Sequence, residues 1–249
     1  MRNKLKSEKY FQETYEYFST RFYRWHEEYL AKIAQSDLGT SGWGTYQPKT
    51  AASFLVGDFM SMFYSGYSLG LSKKELGKDL ELCQHYLLSY WNGAGGSYID
   101  MYFYLAVAII FELSKEHVEP VLTLLIEEKY EDFVLDSMAN FLMPEFEIRT
   151  DKVKFKPDLT YQTEVIKLAK NSKEQAVQRL KHYLDKQWIR QQQNGMGSRP
   201  GSHKQADESM LYLGYWSLES AALVIMLGLE DTSIKDCKYY PYDLVHEQC

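Results

Sequence analysis

Apolar residues near the start of the chain recur with the period of an α-helix. Phe11, Tyr15, Phe18, Phe22, Trp25, Tyr29 and Ile33 follow one another at steps of four, three, four, three, four and four, which puts them on one stripe. Gln12, Glu13, Arg21, Arg24, Glu27 and Glu28 fill the remaining faces, so the spacing predicts a helix of about 30 residues with one buried side. Gly39 to Pro48, with three glycines and a proline, ends it. Thr50 to Leu69 is apolar more broadly and predicts a buried helix. Ser72 with Glu75 forms a capping box that opens a helix running to Trp91, and Asn92 to Ser97 is a glycine-rich loop. Tyr98 to Leu113 is apolar on nearly all sides, the mark of a central core helix in a soluble chain. Ser114 caps a helix from His117 to Glu127, Tyr130 to Leu142 is a further amphipathic helix, and Pro144 stops it.

Glu145 to Pro157 is charged, lies between Pro144 and Pro157, and alternates only briefly at Val153 and Phe155, so it reads as a linker. The chain then divides into helical halves, 1–143 and 144–249. Beyond the linker come helices over Tyr161 to Lys170 and Ser172 to Gln192, the second opened by Ser172 with Gln175 three residues on. Leu180, Leu184 and Trp188 fall on the core face of that helix, with Lys181, Lys186 and Arg190 in solvent. Asn194 to Ser202 is a loop, and Gln205 to Leu227 is the last long helix. Nowhere does a set of alternating strands emerge, so the predicted class is all-α, a multi-helix bundle with N-terminal and C-terminal helical halves.

Composition narrows the class without changing it. Of 249 residues, 45% are hydrophobic and 25% charged, a globular balance long enough to bury a full core. The longest apolar run, Leu105 to Phe111, is far short of the roughly 20 residues of a membrane helix. Met1 to Lys9 mixes basic and polar residues without a signal-peptide apolar stretch, which gives a cytoplasmic expectation. Cys83, Cys237 and Cys249 are scattered and odd in number, so reduced thiols are expected. Net charge is −6, but it is unevenly spread: residues 101–150 carry −7 and residues 151–200 carry +6.

Candidate chemistry is sparse. His26, His85, His117, His182, His203 and His246 offer no HExxH and no Glu-x-x-His repeat, so no metal is expected. There is no Gly-x-Ser-x-Gly and no activated cysteine motif, and Gly195 to Gly201 (GMGSRPG) lacks both the GK[ST] ending and the preceding strand of a phosphate loop. No cofactor and no catalytic residue is assigned. Glu219, flanked by Leu218, Ala221, Ala222 and Leu223, reads as a buried hydrogen-bonded carboxyl, and the alternative is a helical enzyme that uses it with His182 or His246. Tyr239, Tyr240, Pro241, Tyr242, Asp243 and His246 read as an aromatic tail docked on the core. The basic block Lys152 to Arg199 could contact nucleic acid, but its aromatic residues lie at core spacing and direct nucleic-acid binding is not expected.

A family resemblance rests on four stretches in fixed order: Leu180 to Trp188 (LKHYLDKQW), Gly214 to Ala222 (GYWSLESAA), Leu227 to Glu230 (LGLE) and Tyr239 to His246 (YYPYDLVH). Together they resemble the C-terminal half of PoNi-type immunity proteins. The N-terminal half is similar more loosely, through its aromatic first helix, the hydrophobic helix after Tyr98 and the acidic stretch Glu127 to Asp136. The sequence departs from the family in its polar loop Gln191 to Asp207. The resemblance implies a helical, non-enzymatic inhibitor of a PoNe toxin, a DNase of the PD-(D/E)xK superfamily, in a family that accompanies type VI and type VII secretion effectors. The implied partner is that cognate toxin, with no membrane partner, and the sequence is compatible with a homo-oligomer. Residues 112–147 are net −8, with Glu112, Glu116 and Glu119 preceding Glu127, Glu128, Glu131, Asp132 and Asp136. On a continuous helix Glu128, Glu131 and Asp132 would share a face, with Glu127 close by. A nuclease groove is positively charged for phosphate, so Glu127, Glu128, Glu131, Asp132 and Asp136 are the expected toxin-binding residues.

Overall fold

The computed structural model describes residues 1–34, 48–93, 98–154, 160–191 and 198–247. The predicted loops Gly39 to Pro48 and Asn92 to Ser97 lie largely outside the described residues, as do residues 194–197 of the loop Asn194 to Ser202, Phe155 and Cys249. Among the described residues all regular structure is helical. The chain is all-α, as the periodicity predicts.

Backbone contacts group the chain into two units, Met1–Met101 with His203–Gly214, and Tyr102–Ser202 with Tyr215–Cys249. This is a different partition from the halves 1–143 and 144–249 proposed on sequence grounds. In the first unit, helix α1 (Glu8–Ala34) packs on α2 (Pro48–Leu69), and α2 packs on α4 (Leu80–Tyr90). Phe11, Phe22 and Tyr29 of the aromatic stripe are buried, and Phe22 meets Phe59 at 6.2 Å and Tyr86 at 6.3 Å between ring centroids. The Ser72–Glu75 capping box is present, but it opens only the short α3 (Lys73–Leu76). Gly77 caps that turn, so the single helix predicted over residues 72–91 is two.

The second unit begins within α5 (Tyr98–Ile110), in which every residue from Met101 onward is buried, as expected of a core helix. There follow α6 (Lys115–Glu127), α7 (Phe133–Leu142), α8 (Thr160–Ala169) and α9 (Lys173–His182). A π-helical turn over Tyr183–Gln187 leads into α10 (Trp188–Gln191). Leu180, Leu184 and Trp188 are buried, while Lys181, Lys186 and Arg190 are exposed. The chain closes with α11 (Leu218–Leu227) and α12 (Tyr242–His246).

The long helix predicted over Gln205 to Leu227 forms only from Leu218. Gly214, at φ +115°, adopts backbone that only glycine enters freely, and it breaks the pattern. The extended residues before α11 find tertiary partners instead of helical ones. In the first unit, Tyr10 Oη accepts from Tyr212 N (3.1 Å) and donates to Tyr212 O (3.0 Å), and Ser68 Oγ donates to Leu213 O (2.7 Å). In the second, Trp188 Nε1 donates to Tyr215 O (2.6 Å), and Ser217 N donates to Tyr239 O (2.9 Å).

Tyr10→Phe keeps the ring but removes the partner of two buried backbone groups, and should cost about 2 kcal/mol of unfolding free energy in a urea titration. Tyr17→Phe, on the exposed side of the same helix, should change it by under about 0.5 kcal/mol. Equal stability of Tyr10→Phe and wild type would contradict this account of the segment.

Candidate functional site

The acidic stretch does not continue as one helix. Lys129 at φ +50° ends α6, Tyr130 N donates back to Leu125 O (3.0 Å), and α7 starts only at Phe133. The helical face expected to hold Glu128, Glu131 and Asp132 together is therefore broken, and the five acids separate into two roles. Glu127, Glu128 and Glu131 are exposed. Asp132 and Asp136 are fully buried.

Asp132 is the N-cap of α7. Its Oδ1 accepts from Val134 N (3.0 Å) and Leu135 N (3.1 Å), and its Oδ2 accepts from Lys154 N (2.7 Å). Asp136 pairs with Arg149, whose Nη2 lies 2.6 Å from Oδ1 and whose backbone N donates to Oδ2 at 2.8 Å. The same guanidinium donates to Tyr130 O (2.6 Å) and Leu125 O (3.2 Å) and lies 4.9 Å over the Phe146 ring. These two acids are structural, and the correction has a physical cause. The non-helical residues on either side of α7 carry backbone donors and acceptors that need partners, and a short acid at the cap supplies them where a helix cannot. The charge count along the chain carries no sign of this inward turn. A weak sign is the placement of Asp132 just before the apolar run Phe133–Leu135.

Glu219 is buried, as expected. Tyr161 Oη donates to its Oε1 at 3.4 Å, while Gln162 Nε2 donates to Tyr161 Oη (2.9 Å) and to Tyr102 Oη. Loss of solvent pushes the Glu219 carboxyl up to about 8, against the smaller opposing pull of its own backbone, Ser217 and Tyr161. The cavity it shares with Tyr102, Gln162 and Met226 is about 10 Å³, room for about one water and for no substrate. His182 is exposed, and His246 pairs with the buried Asp231 (3.0 Å), which Tyr240 Oη also contacts (2.6 Å). Neither histidine is a hydrogen-bond partner of Glu219, so the convergence that the enzymatic alternative requires does not form among the described residues. The Asp231 cluster docks the aromatic tail, with Tyr240 and Leu244 buried.

A second carboxyl, Asp100, is raised to about 6 by burial and held by the Tyr90 hydroxyl. The basic block is interrupted by pairing: Arg179 binds Glu164, and Lys173 and Lys181 donate to Gly228 O and Ser233 O (both 3.1 Å). Among the described residues no group of three or more His, Cys, Asp or Glu is placed to hold a metal, and no helix is long and apolar enough to cross a membrane.

The fold and these clusters define an all-α domain whose buried acids serve structure and whose exposed acids stand beside them. Residues 130–244 match the family model of PoNe immunity proteins (PoNi), C-terminal. The four sequence stretches that suggest the resemblance fall in this span, apart from the last two residues of the final one. No curated protein and no solved structure matches the chain.

Burial of Glu219 fixes the sign of a pH effect. The folded protein keeps a proton that the unfolded chain releases near pH 4.5, so unfolding free energy falls as pH rises from about 4.5 to about 8. Asp100 adds a smaller fall ending near pH 6. Glu219→Gln preserves shape and neutrality, so it should flatten the decline between pH 6 and 8 and exceed wild type at pH 8 by on the order of a few kcal/mol. Parallel pH profiles of the two proteins in denaturant titrations would refute this.

Proposed function

We propose that this chain is an immunity protein that binds a cognate PoNe-type nuclease toxin one to one and neutralises it in the cytoplasm of the cell that makes both. The observation that carries the reading is the match of residues 130–244 to the PoNi C-terminal family model. The role is binding, not catalysis. The cavity at Glu219, at about 10 Å³, admits no substrate, which supports an inhibitor over an enzyme.

The inhibitory surface in this proposal is the exposed acidic edge of Glu127, Glu128 and Glu131, with Asp132 and Asp136 beneath it as its support. A nuclease presents positive charge where it holds the phosphate backbone. Carboxylates on a rigid edge compete for that charge and draw the toxin in by long-range attraction, which raises the association rate more than it raises affinity. Either the active site or the DNA-binding surface is covered, and DNA is excluded in both cases. Rigidity matters because residues already ordered before docking lose less entropy on binding.

Reversing the exposed acids together, as Glu127→Lys, Glu128→Lys and Glu131→Lys in one protein, should slow association with the cognate nuclease about tenfold or more at low salt and reduce its dependence on ionic strength. Stopped-flow binding across a salt series reads both quantities. Wild-type rates at every salt concentration would remove this edge from the interface.

A further inference from the structure

Charge can steer a toxin to this surface, but holding it there requires area taken from water. Among the described residues of the second unit, large apolar side chains with solvent on them are few, and two of them are chain neighbours of the two ends of one hydrogen-bonding clamp. Arg149 reaches from the loop after α7 to Leu125 O at 3.2 Å, at the last turn of α6, and to Tyr130 O at 2.6 Å just beyond it. Ile148 immediately precedes Arg149 and Ile126 immediately follows Leu125, so the clamp sets the two isoleucines beside its two ends. Ile126 is 53% exposed and Ile148 44% exposed, although both sit on backbone that a buried ion pair fixes. Isoleucine at such exposure contributes little to the core, and β-branched side chains have little rotamer freedom to lose on docking. Their near neighbours along the chain include the exposed acids Glu127, Glu128 and Glu147, while Glu145 pairs with Lys115 at 2.9 Å.

We infer that Ile126 and Ile148 are the apolar anchors of the docking surface, seated in a recess on the basic, phosphate-binding face of the nuclease, with the neighbouring carboxylates as its charged rim. The occupant follows from charge complementarity: apolar residues each flanked in the chain by exposed acids fit a positively charged protein face and repel another acidic one. The inference rests on the proposed immunity function and deepens it by dividing the work. Rim acids set the rate of arrival, and the isoleucines set the rate of departure.

The test uses the full chain and its cognate nuclease in surface-binding kinetics. Ile126→Ala with Ile148→Ala should raise the dissociation rate at least about tenfold, leave the association rate within about twofold, and show the same effect at low and high salt. Phe54→Ala, an exposed apolar residue of the first unit, should leave both rates unchanged. Unaltered thermal unfolding of the double variant establishes that the clamp is intact. Should the larger truncation lower stability, the milder Ile126→Val with Ile148→Val replaces it, and at wild-type stability should give an intermediate dissociation rate. Wild-type dissociation by a stable double variant overturns the anchor assignment alone. Absence of any binding by the wild-type chain overturns the immunity reading and the anchors with it. If the substitutions instead dissolve a homodimer seen in sedimentation, with nuclease binding unchanged, the patch is a self-interface and the inference is wrong.

Discussion

The buried pair of Asp136 and Arg149 is the constraint on which the second unit's surface depends. Residues 128–132 and 143–154 are not helical, and each peptide group there must find a partner outside the helix pattern. Arg149 answers for Leu125 O and Tyr130 O, Asp136 for the Arg149 amide, and Asp132 for the Val134, Leu135 and Lys154 amides. Taking these charges from water is costly, and the geometry offsets the cost only because every oxygen of both acids is hydrogen-bonded. Breaking one partner would strand the other. The exposed edge of Glu127, Glu128 and Glu131 owes its fixed position to this network, so the structural acids and the proposed binding acids are parts of one construction.

Local periodicity is legible in the sequence wherever local forces decide the outcome. The apolar run of α5 and the Leu180–Leu184–Trp188 face bury the residues that their spacing picks out, and the aromatic stripe of α1 buries Phe11, Phe22 and Tyr29 while Tyr15, Phe18 and Trp25 stay partly exposed. Caps are readable too, since Ser72 and Glu75 are neighbours along the chain. The stretch 210–217 departs from its helical pattern for a different reason. Tyr212, Tyr215 and Trp216 fall at helical spacing, whereas the backbone around them is satisfied by Tyr10, Ser68 and Trp188, far away in sequence.

The candidate site shows the same limit. Glu128, Glu131 and Asp132, with Glu127 close by, read as one charged face and Asp136 as part of the same patch, but burial depends on where Arg149 lands, thirteen residues beyond Asp136. A run of charge along a chain does not say which of its members turn inward. Glu219 is the easier case, because an acid among leucine and alanine on a helix has few places to go but inward. Its protonation near neutral pH is then a consequence of enclosure and needs no catalytic purpose.

The buried acids Asp132 and Asp136 thus serve shape, and the exposed Glu127, Glu128 and Glu131 are the ones proposed to meet a partner. The most direct measurement is a titration of the cognate nuclease's DNA cleavage with the purified chain. One-to-one inhibition by an immunity protein predicts a linear loss of activity that reaches zero at one molar equivalent. Undiminished cleavage at a tenfold excess of the chain would contradict it.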